Sequence, residues 1–323
     1  AKGQNWWCVL YPNLCFIDAV NAVVPEEGKE ELKEKPWDIY TSCDDLLQFF
    51  EPDIRRKNQT LGGKVMCRVI AIANQKGGVA KTTTTINLGV GLIKAGKKVV
   101  LVDADPQGHL TMGLGFPKNL RVTLKTMMEN IIMGLEFDPR EAILHHEEGI
   151  DVIPSNKLLS GMDMSLFTVE DREKVLKEYL ELLENDYDYI LIDCMPSLGM
   201  MTINALSAAD SVLIPVQPQY YAADGLMELL KVVKGIHQRF NPDLQIEGIL
   251  FTMDSSHYNN SKRNKQAVRD AYGAEIIIFD QTIPRTEALA ETASEGVSIF
   301  SYDAKGKGAY SYQALVQEVL NHA

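Results

Sequence analysis

Cysteine is scarce and unpatterned in the 323-residue chain. Cys8, Cys15, Cys43, Cys67 and Cys194 form no C-x-x-C pair and lie beside no histidine at a zinc-binding spacing. An odd, scattered set argues against a disulfide scaffold and reads as reduced thiols in a cytoplasm. No run of about 18 apolar residues occurs, so no membrane span is predicted. The first residues also lack the basic and apolar regions of a secretory signal. Positive charge is in deficit: 32 Lys and Arg face 44 Asp and Glu, for a net charge of -12. A broadly basic protein is excluded, but a local basic face is not. The length suits one large α/β domain with an additional segment.

That segment is residues 1–65. It holds all three tryptophans, Trp6, Trp7 and Trp37, a charged run from Glu26 to Lys35, and a capped stretch, Ser42 to Phe50, stopped by Pro52. Asn58 to Lys64 reads as a linker. The preferred reading is an accessory extension, or upstream sequence fused to the domain that follows, ahead of a regulatory or partner-binding module. The domain proper is expected to run from Met66 to residue 323.

The domain opens on strand, glycine turn and helix. Cys67 to Asn74 is apolar and β-branched, Gln75-Lys76-Gly77-Gly78-Val79-Ala80-Lys81-Thr82-Thr83 follows, and Ile86 to Ile93 returns to helical spacing. This is the context of a phosphate-binding loop, whose amides point at a polyphosphate from a helix N-terminus. Lys81 can reach the β- and γ-phosphates, and the Thr82 hydroxyl can ligate Mg²⁺. Ala80 stands where the usual pattern has glycine, and Lys76 adds a second lysine.

Downstream, strands and helices alternate, which predicts a mostly parallel twisted sheet with helices on both faces. Lys97 to Asp103 is a buried-type strand ending in acid, continued by Asp103-Ala104-Asp105-Pro106-Gln107-Gly108. Tyr187 to Asp193 is a second, with Asp193 placed to hold Mg²⁺ at a strand's end. Residues 122–185 look mostly helical, with one short strand near 150–154. His145 and His146 read as a solvated helix end, and Met127, Met128 and Met133 as packing residues.

Lys76-Gly77-Gly78 through Lys81-Thr82-Thr83 resembles the deviant Walker A motif of the ParA/MinD group of P-loop ATPases. D-x-D-P-Q-G, Cys194-Met195-Pro196-Ser197-Leu198-Gly199, the segment Asp210 to Leu226, and Ile283-Pro284-Arg285 resemble the ParA/Soj partition ATPases in the same order, covering Met66 to His322. The resemblance implies ATP and Mg²⁺ as cofactors, with Lys76, Gly77, Gly78, Val79, Ala80, Lys81, Thr82 and Thr83 around the phosphates. It places Pro284 and Arg285 over the adenine, Asp105 on the attacking water, and Thr82, Asp103 and Asp193 around the metal. Lys76 would cross to a partner subunit's nucleotide, making Lys76, Lys81 and Asp105 the catalytic set. The implied partners are a second copy, nonspecific double-stranded DNA and a ParB/Spo0J-like adaptor, on the nucleoid and without a membrane.

A basic helix from Ser261 to Tyr272 supplies the candidate DNA contacts Lys262, Arg263, Lys265 and Arg269, with 262, 265 and 269 on one helical face. Two departures weaken that part: Ala288 replaces an arginine common in the family, and Asp254 to Asn259 lacks another. A MinD-like ATPase acting on a non-DNA cargo or surface is the alternative. It would need a basic amphipathic C-terminal helix, and Ser311 to Ala323 has no lysine or arginine. A nitrogenase-iron-protein-like reductase would need a companion for Cys194, and a tyrosine autokinase a terminal tyrosine cluster on a flexible tail.

Overall fold

Apolar, β-branched runs bounded by turn residues form the sheet at the centre of the computed structural model, which describes residues 60–61, 64–219, 222–255 and 259–322. The three tryptophans, the capped stretch at 42–50 and most of the expected extension lie outside those residues. β1 (Thr60–Leu61) and β2 (Lys64–Val65) pair as a short antiparallel ladder apart from the main sheet. The main sheet holds β3 (Arg68–Ile72), β4 (Val99–Ala104), β5 (Leu144–His145), β6 (Asp151–Ile153), β7 (Tyr189–Cys194), β8 (Ser211–Val216) and β9 (Gln245–Phe251). Its order is β5-β6-β4-β7-β3-β8-β9, parallel throughout except for the antiparallel pair β5–β6.

The helices are α1 (Lys81–Lys94), α2 (His109–Gly113), α3 (Leu124–Met133), α4 (Met162–Leu166), α5 (Val175–Glu181), α6 (Met200–Ala208), α7 (Ala222–Arg239), α8 (Asn259–Tyr272), α9 (Glu287–Glu295), α10 (Ile299–Tyr302) and α11 (Lys307–Asn321), with a 3₁₀ turn at Lys157–Gly161. Strand alternation divides the core. Val69, Ala71, Ile190, Ile192 and Val212 face one side, packed with residues of α3 to α8. Ile70, Ile72, Leu191, Leu213 and Leu250 face the other, packed with α1, α2 and α9 to α11. β4, β7 and β8 are buried along their whole lengths, as strands covered on both faces must be. The expected doubly covered parallel sheet is therefore the observed one.

α1 sits hard against this sheet. A Cβ at Gly89 would fall 2.7 Å from Ile150 Cδ1 and from Leu101 Cδ2, so any side chain there would have to push both methyls aside. α11 covers α1 from outside with Tyr312, Leu315, Val316 and Val319 buried. From β3 the chain winds toward β4 and β6, then returns through β7 and crosses to β8 and β9. That reversal opens a crevice at the carboxyl ends of β3, β4 and β7, where ligands of such sheets bind.

Two local expectations change. Leu144–His145 is a strand, not a helix end: exposed His145 pairs with Asp151 at 2.5 Å, while His146 is half-buried, its Nε2 3.0 Å from the Gly296 carbonyl. Met127 and Met128 are core residues, as expected, but Met133, the last residue of α3, is 65% exposed and so is not the packing residue the sequence suggested.

Candidate functional site

Parallel register brings the site together before any side chain is considered. Asp103 on β4 lies opposite Asp193 on β7, and Asp193 lies opposite Ile72 on β3. β3 then runs through Asn74 into the glycine loop, so the loop and both aspartates share one end of the sheet.

The loop is fixed at entry and exit. Asn74 Nδ2 donates to the Pro215 carbonyl at 2.7 Å, and Asn74 Oδ1 accepts from Lys76 N at 2.9 Å. Thr252, buried just beyond β9, donates to the Val79 carbonyl at 2.9 Å. Gly78 has φ 70°, and Ala80 has φ 64° and ψ 34°, the left-handed region. An L side chain there costs roughly 1–2 kcal/mol. The backbone thus keeps the glycine conformation although the residue is alanine. No side chain caps α1, so its first-turn amides have only the loop before them.

Lys81 is buried, with Nζ donating to the Asn74 carbonyl at 3.1 Å and the Lys76 carbonyl at 3.2 Å. Burial lowers its pKa, against the opposing pull of Asp193. Lys76 is exposed and donates to Gln219 Oε1 on the loop after β8. Thr82 Oγ1 donates to Asp193 Oδ2 at 2.7 Å, whereas Asp193 Oδ1 is buried without a partner. Burial, and then the nearby Asp103, push Asp193 up to about 8.

Asp103 behaves differently. Its Oδ2 accepts from Thr111 N at 2.9 Å and Thr111 Oγ1 at 2.6 Å, and its Oδ1 from Asp105 N at 3.2 Å. Burial raises it to about 6. With both oxygens engaged it anchors the turn that carries Asp105, whose own Oδ1 accepts from Gln107 N at 2.8 Å. Among the described residues no three His, Cys, Asp or Glu side chains group to hold a metal. A divalent cation would depend on Thr82, the unpartnered Asp193 oxygen and groups brought by a ligand, a donor set of hard oxygens that suits Mg²⁺. Cys194 is buried, with its thiol pushed well up by burial, and is no nucleophile.

The remaining predicted residues divide. Pro284 and exposed Arg285 follow β9 through a parallel bridge to Asp254, at the same end of the sheet as Val79. On α8, Lys262 and Arg263 are exposed. Lys265 instead pairs with Asp254 at 2.5 Å, and the Arg269 guanidinium lies 5.7 Å over the Phe251 ring. The expected cationic face 262–265–269 is therefore corrected: two of its three members turn toward β9. Gln219, Thr111, Thr252 and Asp254 were not anticipated, since each acts through a partner remote in sequence or through an ordinary polar residue at a strand or helix end.

No described helix is long and apolar enough to cross a membrane. A family model described as AAA domain matches residues 67–246, and one described as stage II sporulation protein R matches residues 1–21. The sporulation initiation inhibitor protein Soj of Bacillus subtilis (strain 168) is 42% identical over 258 residues, 79% of this chain and 98% of Soj. The chromosome partitioning protein ParA of Myxococcus xanthus is 42% identical over 262 residues, 80% of this chain and 90% of ParA. Among solved structures, cobyrinic acid a,c-diamide synthase from Mycobacterium smegmatis with bound ADP and magnesium is 36% identical, with TM-score 0.69 over 80% of this chain and 95% of that one. With the two-lysine loop, the paired strand-end aspartates and relatives matched over nearly their full lengths, the chain belongs to the ParA/Soj family of chromosome-partitioning ATPases.

Proposed function

We propose that residues 66–323 form an ATPase that binds Mg-ATP at this loop, pairs with a second copy, and in that state holds DNA without regard to base sequence. The observation that carries the reading is the juxtaposition of Lys81, Thr82 and the unpartnered oxygen of Asp193 at one loop. A polyphosphate entering the loop offers Lys81 better acceptors than the two carbonyls it now holds. The backbone amides of Gly77 to Thr83 and the Lys81 ammonium neutralise phosphate charge, which is most of phosphoryl-transfer catalysis. Magnesium held by Thr82 and Asp193 would add charge stabilisation between the phosphates. Asp105, positioned by Asp103 and Gln107, aligns the attacking water.

Lys76 is the residue for a second subunit. It is exposed, and among the described residues its ammonium is held by a glutamine across the loop alone, a contact easily exchanged for a partner's phosphate. A ParB-like adaptor that stimulates hydrolysis would part the dimer and release DNA. A surface-acting alternative would draw on an amphipathic C-terminal helix, but the apolar residues of α11 are already spent on α1. Residues 1–65 are assigned outside the ATPase, a division supported by the separate family match at 1–21.

The test is a pair of variants. Lys81→Ala should lose nucleotide binding and with it dimerisation. Lys76→Ala should keep nucleotide binding by the monomer and weaken the ATP dimer. Unchanged ATP affinity by calorimetry in the first, or unchanged dimerisation by light scattering in the second, would overturn the corresponding assignment.

A further inference from the structure

The segment Thr282–Arg285 has no regular structure of its own, yet one carboxylate outside the phosphate loop holds it directly and a second holds the two residues that lead into it. Asp254 lies just past β9. Its Oδ1 accepts from Ser261 Oγ at 2.6 Å, and its Oδ2 from Lys265 Nζ at 2.5 Å and Thr282 Oγ1 at 3.3 Å. Burial would raise this carboxyl, but its hydrogen bonds to Lys265, Ser261 and Thr282 outweigh burial and hold it below the usual range. Its main chain completes the grip: Asp254 N donates to the Ile283 carbonyl at 2.9 Å, and Arg285 N to the Asp254 carbonyl at 3.2 Å.

From the other side, Glu318 on α11 accepts from Asp280 N at 2.8 Å and Gln281 N at 2.9 Å. Gln281 Nε2 donates in turn to Ser311 Oγ at 3.0 Å. Hydrogen bonds to an ionised carboxylate are roughly twice as strong as neutral ones. Backbone strain marks the same place. Among the described residues only Ala80, Asp171 and Met253 combine a side chain with positive φ, and Met253 (φ 51°) directly precedes Asp254. Such strain persists where the surroundings over-determine the chain.

The geometry points to Asp254 and Glu318 as positioning residues for segment 282–285, with Lys265 serving Asp254 and not DNA. This rests on the assignment of Pro284 and Arg285 to the adenine side of the nucleotide. The phosphate loop holds a polyphosphate with its own amides, whatever segment 282–285 does. Contacts to the base exist only while the segment is held in place. Loosening either carboxylate should therefore penalise a nucleotide and spare a bare triphosphate.

The experiment compares a non-hydrolysable ATP analogue with inorganic tripolyphosphate, each with magnesium, by calorimetry on the full chain. Glu318→Ala and Lys265→Met should each weaken the analogue about fivefold or more, while tripolyphosphate stays within about twofold of the parent. Glu318→Gln keeps an acceptor for one of the two amides and should fall between. A double variant, Pro284→Gly with Arg285→Ala, reports on the segment itself and should also lose the analogue selectively. If both probes weaken alike in Glu318→Ala, the carboxylate supports the whole fold and the inference fails. If only the double variant discriminates, the segment is base-side but is not held by these carboxylates. If the double variant does not discriminate, the adenine assignment fails and takes the inference with it. Lys265→Met with unchanged analogue affinity and lost DNA binding would return Lys265 to the DNA face.

Discussion

Replacing Asp193 by asparagine should stabilise the nucleotide-free protein, and increasingly so as pH rises. Asp193 is fully buried, one oxygen lacks a partner, and burial with Asp103 nearby lifts its pKa from 3.8 to about 8. The unfolded chain releases this proton near pH 4 and the folded chain only near 8. Between those values the folded state binds more protons, so stability falls as pH rises and the loss is complete above about 8. A shift of roughly four units sets a ceiling of about 5–6 kcal/mol. Structural relaxation and water entry reduce such penalties, so a gain of about 1–3 kcal/mol at pH 8 is expected. At roughly 2–4 °C per kcal/mol for a domain of this size, that is a clear rise in Tm. Asparagine also keeps an acceptor for Thr82 Oγ1. The assay is thermal unfolding of EDTA-treated protein from pH 5 to pH 8.5, with parent and Asp193→Asn compared at each pH. A gap that does not widen with pH, or a variant less stable than the parent at pH 8, would refute the argument. With Mg-ATP present the order should reverse, because only the parent carries the charged metal ligand.

Three further outcomes follow from the same geometry. Asp105→Ala should retain ATP and prolong the dimer while turnover falls by about 10²- to 10⁴-fold; steady-state phosphate release at the parent's rate would assign the water to another residue. Ala80→Gly should raise stability by about 0.5–1 kcal/mol, since it relieves a left-handed side chain at some entropic cost; a lower urea midpoint would show that the Ala80 methyl contributes packing that outweighs the strain. Lys262→Glu with Arg263→Glu should abolish ATP-dependent, salt-sensitive DNA binding and leave dimerisation alone, and a mobility shift equal to the parent's would move the DNA face off α8.

The sheet was legible because buried parallel strands announce themselves as β-branched runs, and the site because two of those runs end in aspartate. The pairing of Asp103 with Asp193 could not be read, since β4 and β7 are separated by more than eighty residues and only strand order makes them neighbours. Asp103 then shows why a motif residue need not have one role. Thr111, eight residues on, occupies Oδ2 twice over, and no spacing rule distinguishes that threonine from an ordinary helix-start residue. Lys76 is similar, because its contact with Gln219 spans 143 positions.

Helix α8 is the instructive failure, for its sequence did contain the answer. Positions 262, 265 and 269 share a face, and three cations on one face suggest a surface. Yet Ser261, Val268 and Tyr272 are buried, and with Lys265 they trace 261–265–268–272, the inward stripe of an amphipathic helix. Val268 and Tyr272, four residues apart, are the helix's two large apolar residues, so they fix which side meets β9 before any cation is placed. Lys265 falls on that stripe and Arg269 on its margin, against Asp254 and Phe251. Charge decides what an outward residue can bind, but the apolar pair decides which residues are outward. Applied in that order, the rule leaves Lys262 and Arg263 as the cations α8 offers to DNA, and places Lys265 half-buried against Asp254, two hydrogen bonds from the segment that carries Pro284.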